Sequence, residues 1–93
     1  TVLLAHEDGE LLERLTVQIH DLGYDVVGAA RTASFALVHA AQNAIGIALV
    51  GEVLAGRRHG AELSRVLRDT WGVPCAPLSD KLDPDILPAL EAA

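Results

Sequence analysis

Two short apolar runs, Val2-Leu3-Leu4-Ala5 and Ile45 to Val50, constrain this chain more than any other feature. A strand with one face in water alternates apolar with polar residues. A run that is apolar throughout reads instead as a strand covered on both faces, the signature of a parallel sheet. Helix-period segments separate such runs here, so the expected order is β-α-β-α-β-α-β, an α/β chain with right-handed crossovers.

After Val2–Ala5, the polar stretch His6-Glu7-Asp8-Gly9 closes the first strand. Leu12, Leu15, Ile19 and Leu22 recur at spacings of three and four, which predicts a helix over Glu10 to Leu22. Asp8 is its expected N-cap and Gly23 its left-handed stop. Tyr24 to Ala30 is the second strand, placed at an edge by Asp25 and Gly28. Thr32 or Ser34 caps a helix through Gln42, with Phe35, Leu37, Val38 and Ala41 as its apolar candidates and Asn43 ending it in the left-handed region. Ile45 to Val50 is the third strand, placed at the centre. Leu63, Val66, Leu67 and Thr70 form the inner stripe of the next helix, with Arg65, Arg68 and Asp69 facing water. Val73 to Leu78 is the fourth strand. Pro77 cannot donate to a sheet ladder, which places this strand at an edge. Asp83-Pro84-Asp85 opens a last helix that Pro88 should weaken or kink, and no fifth strand remains to be placed.

Ninety-three residues make one domain, able to bury roughly 60–65% of its unfolded surface. Aromatic residues are few, so leucine, valine, isoleucine and alanine must fill its core. A formal charge of −6 gives no electrostatic footprint for nucleic acid or an anionic membrane. No stretch is long and apolar enough to predict a membrane span or a leader segment. One cysteine, Cys75, excludes an internal disulfide framework and fits a reducing, cytoplasmic setting. The chain lacks methionine and begins at Thr1, so residues 1–93 are expected to be a single domain cut from a longer protein.

Four segments, in order and at matching spacings, resemble the receiver domain of bacterial response regulators. Val2-Leu3-Leu4-Ala5-His6-Glu7-Asp8 is similar to that family's first strand and acidic pair. Leu22-Gly23-Tyr24-Asp25-Val26-Val27-Gly28-Ala29-Ala30 resembles its entry into the second strand. Val50 to Gly60, followed by Ala61-Glu62-Leu63, resembles the phosphoacceptor strand and loop. Val73-Pro74, with Ser79, resembles the fourth strand and its hydroxyl switch residue. The resemblance implies a three-layer α/β/α, flavodoxin-like receiver fold with a four-stranded parallel sheet in the order 2-1-3-4 and the fifth strand missing.

It also implies a phosphorylation pocket at Glu7, Asp8, Gly51 and Ser79. Gly51 falls on the acceptor position and has no side chain, so no acyl phosphate can form there. Side-chain alternation would aim Glu52 away from Glu7 and Asp8, which opposes it as a substitute acceptor. The pair could bind Mg²⁺ only weakly, because two carboxylates make a poor site for a hard octahedral cation. Lys81-Leu82-Asp83-Pro84 resembles the family's lysine segment but follows Ser79 too closely. A deletion of the fourth helix and fifth strand explains this better than an ordinary fourth helix.

The expected function is that of a non-phosphorylatable pseudo-receiver, without enzymatic activity or cofactor, that binds a histidine kinase or a neighbouring signalling domain in the cytoplasm. Leu11, Arg57, Arg58 and His59 are the candidate contacts. One alternative is a cyclic dinucleotide bound at Arg57 and Arg58. Another is phosphorylation on Glu52, and a third is a homodimer through the exposed fourth-strand edge. His6, His20 and His39 read as structural or exposed, and Cys75 as an inert core residue.

Overall fold

The computed structural model describes residues 1–56, 58–79 and 86–92. Strands β1 (Val2–Ala5), β2 (Val26–Ala30), β3 (Ile47–Gly51) and β6 (Cys75–Leu78) form a parallel sheet in the order β2-β1-β3-β6. Counting only these four strands, that is the expected 2-1-3-4 order. Helices α1 (Gly9–Asp21), α2 (Ala33–Gln42) and α3 (Gly60–Trp71) connect them, and α4 (Leu87–Ala92) closes the described chain. Among the described residues β6 has one strand neighbour, and no helix is long and apolar enough to cross a membrane.

The apolar runs are explained by two cores on opposite faces of the sheet. Val2, Leu4, Ile47 and Leu49 enter one core, with Leu12, Leu15 and Ile19 of α1 and Leu90 of α4. Leu3, Ala5, Ala48 and Val50 enter the other, with Ala36 and Ala40 of α2 and Leu63 and Leu67 of α3. Successive side chains of a strand point to opposite faces, so a strand covered twice has no position left for a polar residue. The last helix lies on the α1 side, through Ile86 and Leu90.

Asp8 caps α1 as expected, its carboxylate accepting from the Glu10 and Leu11 amides. Gly23 has a φ of 94°, the left-handed stop the sequence calls for. Thr32 caps α2 through the Phe35 amide.

Several expectations need correction. The first two residues of the expected second strand stay outside β2, which begins at Val26. The third strand starts at Ile47 and runs on through Gly51, and the fourth starts at Cys75. Asn43 ends α2 in extended backbone (φ −135°), not in the left-handed region. On α2 the buried positions are Ala36 and Ala40, whereas Phe35 (64% exposed), Val38 and Ala41 face solvent. Leu37, also an expected apolar position, is partly buried against the same core, so α2 meets the sheet through Ala36, Ala40 and Leu37. On α3, Leu63 and Leu67 are buried but Val66 and Thr70 are exposed. Gly72 then ends α3 at a left-handed φ of 64°. Pro88 falls in the first turn of α4, where a missing amide costs no helical bond, so it need not kink the helix. The proposed opening Asp83-Pro84-Asp85 and the Lys81-Leu82-Asp83-Pro84 segment lie outside the described residues.

Candidate functional site

The carboxyl ends of β1 and β3 lie side by side, with Ala5 opposite Val50. One residue further, the same register brings His6 beside Gly51. The imidazole fills the space a side chain at Gly51 would take: a Cβ built there would stand 2.8 Å from His6 Cδ2 and 3.4 Å from the Ala5 carbonyl oxygen. The ring is held by the Asp8 amide, which donates to His6 Nδ1 at 3.0 Å, and the His6 backbone by its own amide, which donates to the Ala30 carbonyl at 3.0 Å. With Nδ1 accepting, the proton of the neutral ring sits on Nε2. His6, read from sequence as structural or exposed, is therefore the side chain that takes the space beside Gly51, the residue expected at the acceptor position.

Glu7 and Asp8 are both exposed. The carboxylate of Asp8 accepts from Glu10 N at 3.0 Å and Leu11 N at 3.3 Å, which commits its Oδ1 to the start of α1. The Glu7 carbonyl accepts from Arg31 Nε at 2.9 Å, tying the end of β2 to the β1–α1 turn. Among the described residues no three His, Cys, Asp or Glu side chains gather where they could hold a metal ion. The donor set does not fit the octahedral Mg²⁺ of a phosphoryl-accepting receiver, because Gly51 supplies no side-chain oxygen and one oxygen of the exposed Asp8 already caps α1.

After Gly51 the chain bends at Glu52 and forms a short antiparallel ribbon, β4 (Val53–Leu54) and β5 (Arg58–His59), which the sequence reading treated as an open loop. Because β3 ends at Gly51, strand alternation no longer governs Glu52, which lines the same cleft as His6 and Glu7. The ribbon is closed at its base by Gly60, whose amide donates to the Glu52 carbonyl at 2.8 Å. Gly60 is packed so tightly that any Cβ there would collide with the Gly51 carbonyl. Ala55 N donates to the Arg31 carbonyl at 2.8 Å, which anchors the ribbon to the end of β2.

The candidate residues divide on this frame. Glu7, Gly51, His59 and Ser79 share an open cleft of about 1210 Å³ that continues along β6 between α3 and α4. Arg57 lies outside the described residues, and Arg58 is placed by its backbone within β5. Leu11 is 3% exposed and belongs to the α1 core, which removes it as a surface contact. Cys75 is half-buried and lines the cleft, so it is not enclosed in the core as expected. Burial pushes its thiol above the ordinary value, while a hydrogen bond with the Ser64 side chain and the charge of Arg68 pull the other way. His39 packs its ring over Gly28 of β2, and His20 is exposed on α1. The sequence signal for His6 was the pairing of strand ends, and for Gly60 the crowding at a strand-to-helix return; both need the register before they can be read.

No protein-family profile matches the chain, and no curated protein does. Solved structures do. The signal receiver domain of a modulated diguanylate cyclase from Desulfovibrio desulfuricans G20, described as an example of alternate folding, superposes with a TM-score of 0.77 at 26% identity. That match covers 97% of this chain and 71% of the other. The response regulator PhyR from Brucella abortus matches at 25% identity and a TM-score of 0.70, over 99% of this chain but 46% of its own length. The REC domain of PhyR from Erythrobacter litoralis gives a TM-score of 0.77 at 23% identity, over 83% of this chain and 60% of that one. This chain thus spans under half of the Brucella PhyR chain and less than two thirds of the Erythrobacter domain. Together with the β2-β1-β3-β6 sheet and the helices on both its faces, these likenesses show that the chain has the receiver-domain fold.

Proposed function

We propose that this receiver domain is a pseudo-receiver: a regulatory module that binds a protein partner and is not itself phosphorylated. The occupation of the Gly51 side-chain space by His6 supports this reading most directly. An acceptor needs a carboxylate at the end of β3, a metal beside it to neutralise phosphoryl oxygens, and room for the phosphoryl group. Gly51 lacks the first, one oxygen of Asp8 already caps α1, and the His6 imidazole takes the space of a side chain at Gly51. Without phosphorylation, the domain can signal only by presenting surfaces to which a partner binds differently in different arrangements. The partner fits best as a histidine kinase or a neighbouring signalling domain in a bacterial cytoplasm. PhyR from Bartonella quintana, similar in fold at 20% identity and a TM-score of 0.72, has been crystallised in complex with the anti-sigma factor NepR. That fold therefore occurs in a protein that works by association.

Intact-mass measurement after incubation with acetyl phosphate and Mg²⁺ tests the reading. No added phosphoryl mass is expected. A gain that disappears in Glu52→Gln would assign the acceptor to Glu52 and end the pseudo-receiver reading.

A further inference from the structure

We propose that the edge of β6, which has one strand neighbour among the described residues, accepts an extended segment of a partner protein as a fifth strand. The register fixes which groups β6 still offers. Ala48 pairs with Cys75 and its amide donates to the Pro74 carbonyl, so the ladder to β3 uses Pro74, Ala76 and Leu78. Cys75 and Pro77 therefore turn their backbone groups outward. Cys75 presents an N–H and a C=O, and Pro77 only a C=O. The proline thus sits where its missing donor breaks no existing bond, and it is exposed.

The surroundings of this edge have the shape of a slot. Ser64 and Arg68 of α3 and Ile86 and Ala89 beside and within α4 line one cleft together with Ala76 and Pro77. Helices α3 and α4 lie on opposite faces of the sheet, so the cleft straddles its edge. A strand entering there would gain main-chain bonds along one side and a wall on each face, the arrangement used in strand addition.

The wall residues select the occupant. A strand covered on both faces is apolar at successive positions. Arg68, whose charge acts on Cys75 at the start of β6, favours a carboxylate at the amino end of a segment running parallel to β6. A second copy fits less well. Two β6 edges brought together would press two pairs of helix walls against one seam, between molecules that each carry a net charge of −6. A single extended segment meets neither obstacle.

The probe is a fluorescein-labelled peptide of about seven residues, a usual strand length, with a glutamate at its amino end followed by alternating valine and isoleucine. Fluorescence anisotropy on the intact domain should show saturable binding that N-methylation of alternate peptide amides weakens by about tenfold. Pro77→Ala restores an outward N–H and should tighten binding by about fivefold, while Arg68→Glu, at an exposed position, weakens it severalfold. Hydrogen exchange at the Cys75 amide should slow when peptide is bound. Absence of saturable binding, or equal binding of the N-methylated peptide, would overturn the proposal. So would sedimentation showing a dimer that Pro77→Ala strengthens while the peptide stays unbound, which would assign the edge to a second copy. The inference rests on the partner-binding reading above, but these titrations contain no phosphoryl donor. A phosphorylated domain would remove the silent pocket and leave the slot, and an unbound peptide would do the reverse.

Discussion

His6 and Gly51 exclude one another's bulk: with the ring in place, a Cβ on Gly51 would lie 2.8 Å from its Cδ2 and 3.3 Å from its Cγ. The glycine that ends β3 and the histidine that follows β1 are thus packed as a pair. A carboxylate placed at Gly51 would have to displace the ring.

The first prediction follows from that pair. Gly51→Asp should lower stability by about 1–3 kcal/mol, because the ring is anchored by the Asp8 amide and resists displacement. His6→Ala combined with Gly51→Asp should recover part of the loss, giving a coupling of about 1 kcal/mol in a double-mutant cycle of urea unfolding. Additive effects would show that the two side chains do not compete for space. Acetyl phosphate should leave the Gly51→Asp single variant at its unmodified mass.

Gly60 is the most restrictive position at the base of the ribbon. Gly60→Ala forces a methyl group into the Gly51 carbonyl, which is backbone and cannot swing aside. The expected cost is about 3 kcal/mol or more, seen as a fall in Tm on the order of 15 °C. A variant that melts like the wild type would mean that α3 can start without this contact.

Asp8 is expected to act as a helix cap. Asp8→Ala removes the acceptor for two amides of α1 and should cost about 1 kcal/mol, whereas Asp8→Asn or Asp8→Ser should retain most of the stability. Thermal melts of the three variants followed by circular dichroism decide it.

On α2 the exposed and buried positions make a matched pair. Phe35→Ser should change stability by no more than about 0.5 kcal/mol, since the ring stands in solvent. Ala36→Leu should cost about 1–3 kcal/mol, because Ala36 is fully covered in a core with no space for three more carbons. Equal effects of the two would place the helix in a different rotation.

Cys75 gives a pH dependence with a defined sign. Its folded thiol ionises above the ordinary value, chiefly through burial. Below an unfolded thiol pKa of about 8.5 both states are protonated and the contribution to stability is complete. As pH rises beyond that, the unfolded chain loses its proton first and stability declines until the folded thiol also ionises. Denaturation midpoints should therefore fall on the alkaline side, and Cys75→Ala should lessen the fall. The thiol should also react with iodoacetamide more slowly than a free cysteine near neutral pH.

The sheet was legible because its strands carry their own record: Leu3 and Leu4 must both be covered, so both faces must be. Pro77 marked its strand as an edge for the same kind of reason. The face of α2 was not legible, because a helix composed almost wholly of apolar and small residues has no polar side to orient it. Phe35 looked like core by its chemistry alone, but α2 meets the sheet through Ala36, Ala40 and Leu37. In the site, the absence of a side chain at the end of β3 could be read directly from Gly51. The role of His6 could not, since it depends on which residue the end of β1 meets across the ladder. Leu11 was misassigned because it borders the expected apolar stripe, and one residue of helix rotation carries a border position into the core.

The two cores differ in composition. Beneath α2 the sheet meets Ala36 and Ala40, and the same core holds its own Ala5, Ala30 and Ala48, whereas α3 brings Leu63 and Leu67; beneath α1 and α4 the buried residues are leucine, isoleucine and valine alone. Alanine has no rotamers to exchange, so the seam between α2 and the sheet can yield only by moving backbone. Branched side chains can repack in place at lower cost. A change of shape selected by a partner should therefore be absorbed beneath α1, α3 and α4, with α2 serving as the fixed frame against which it is measured.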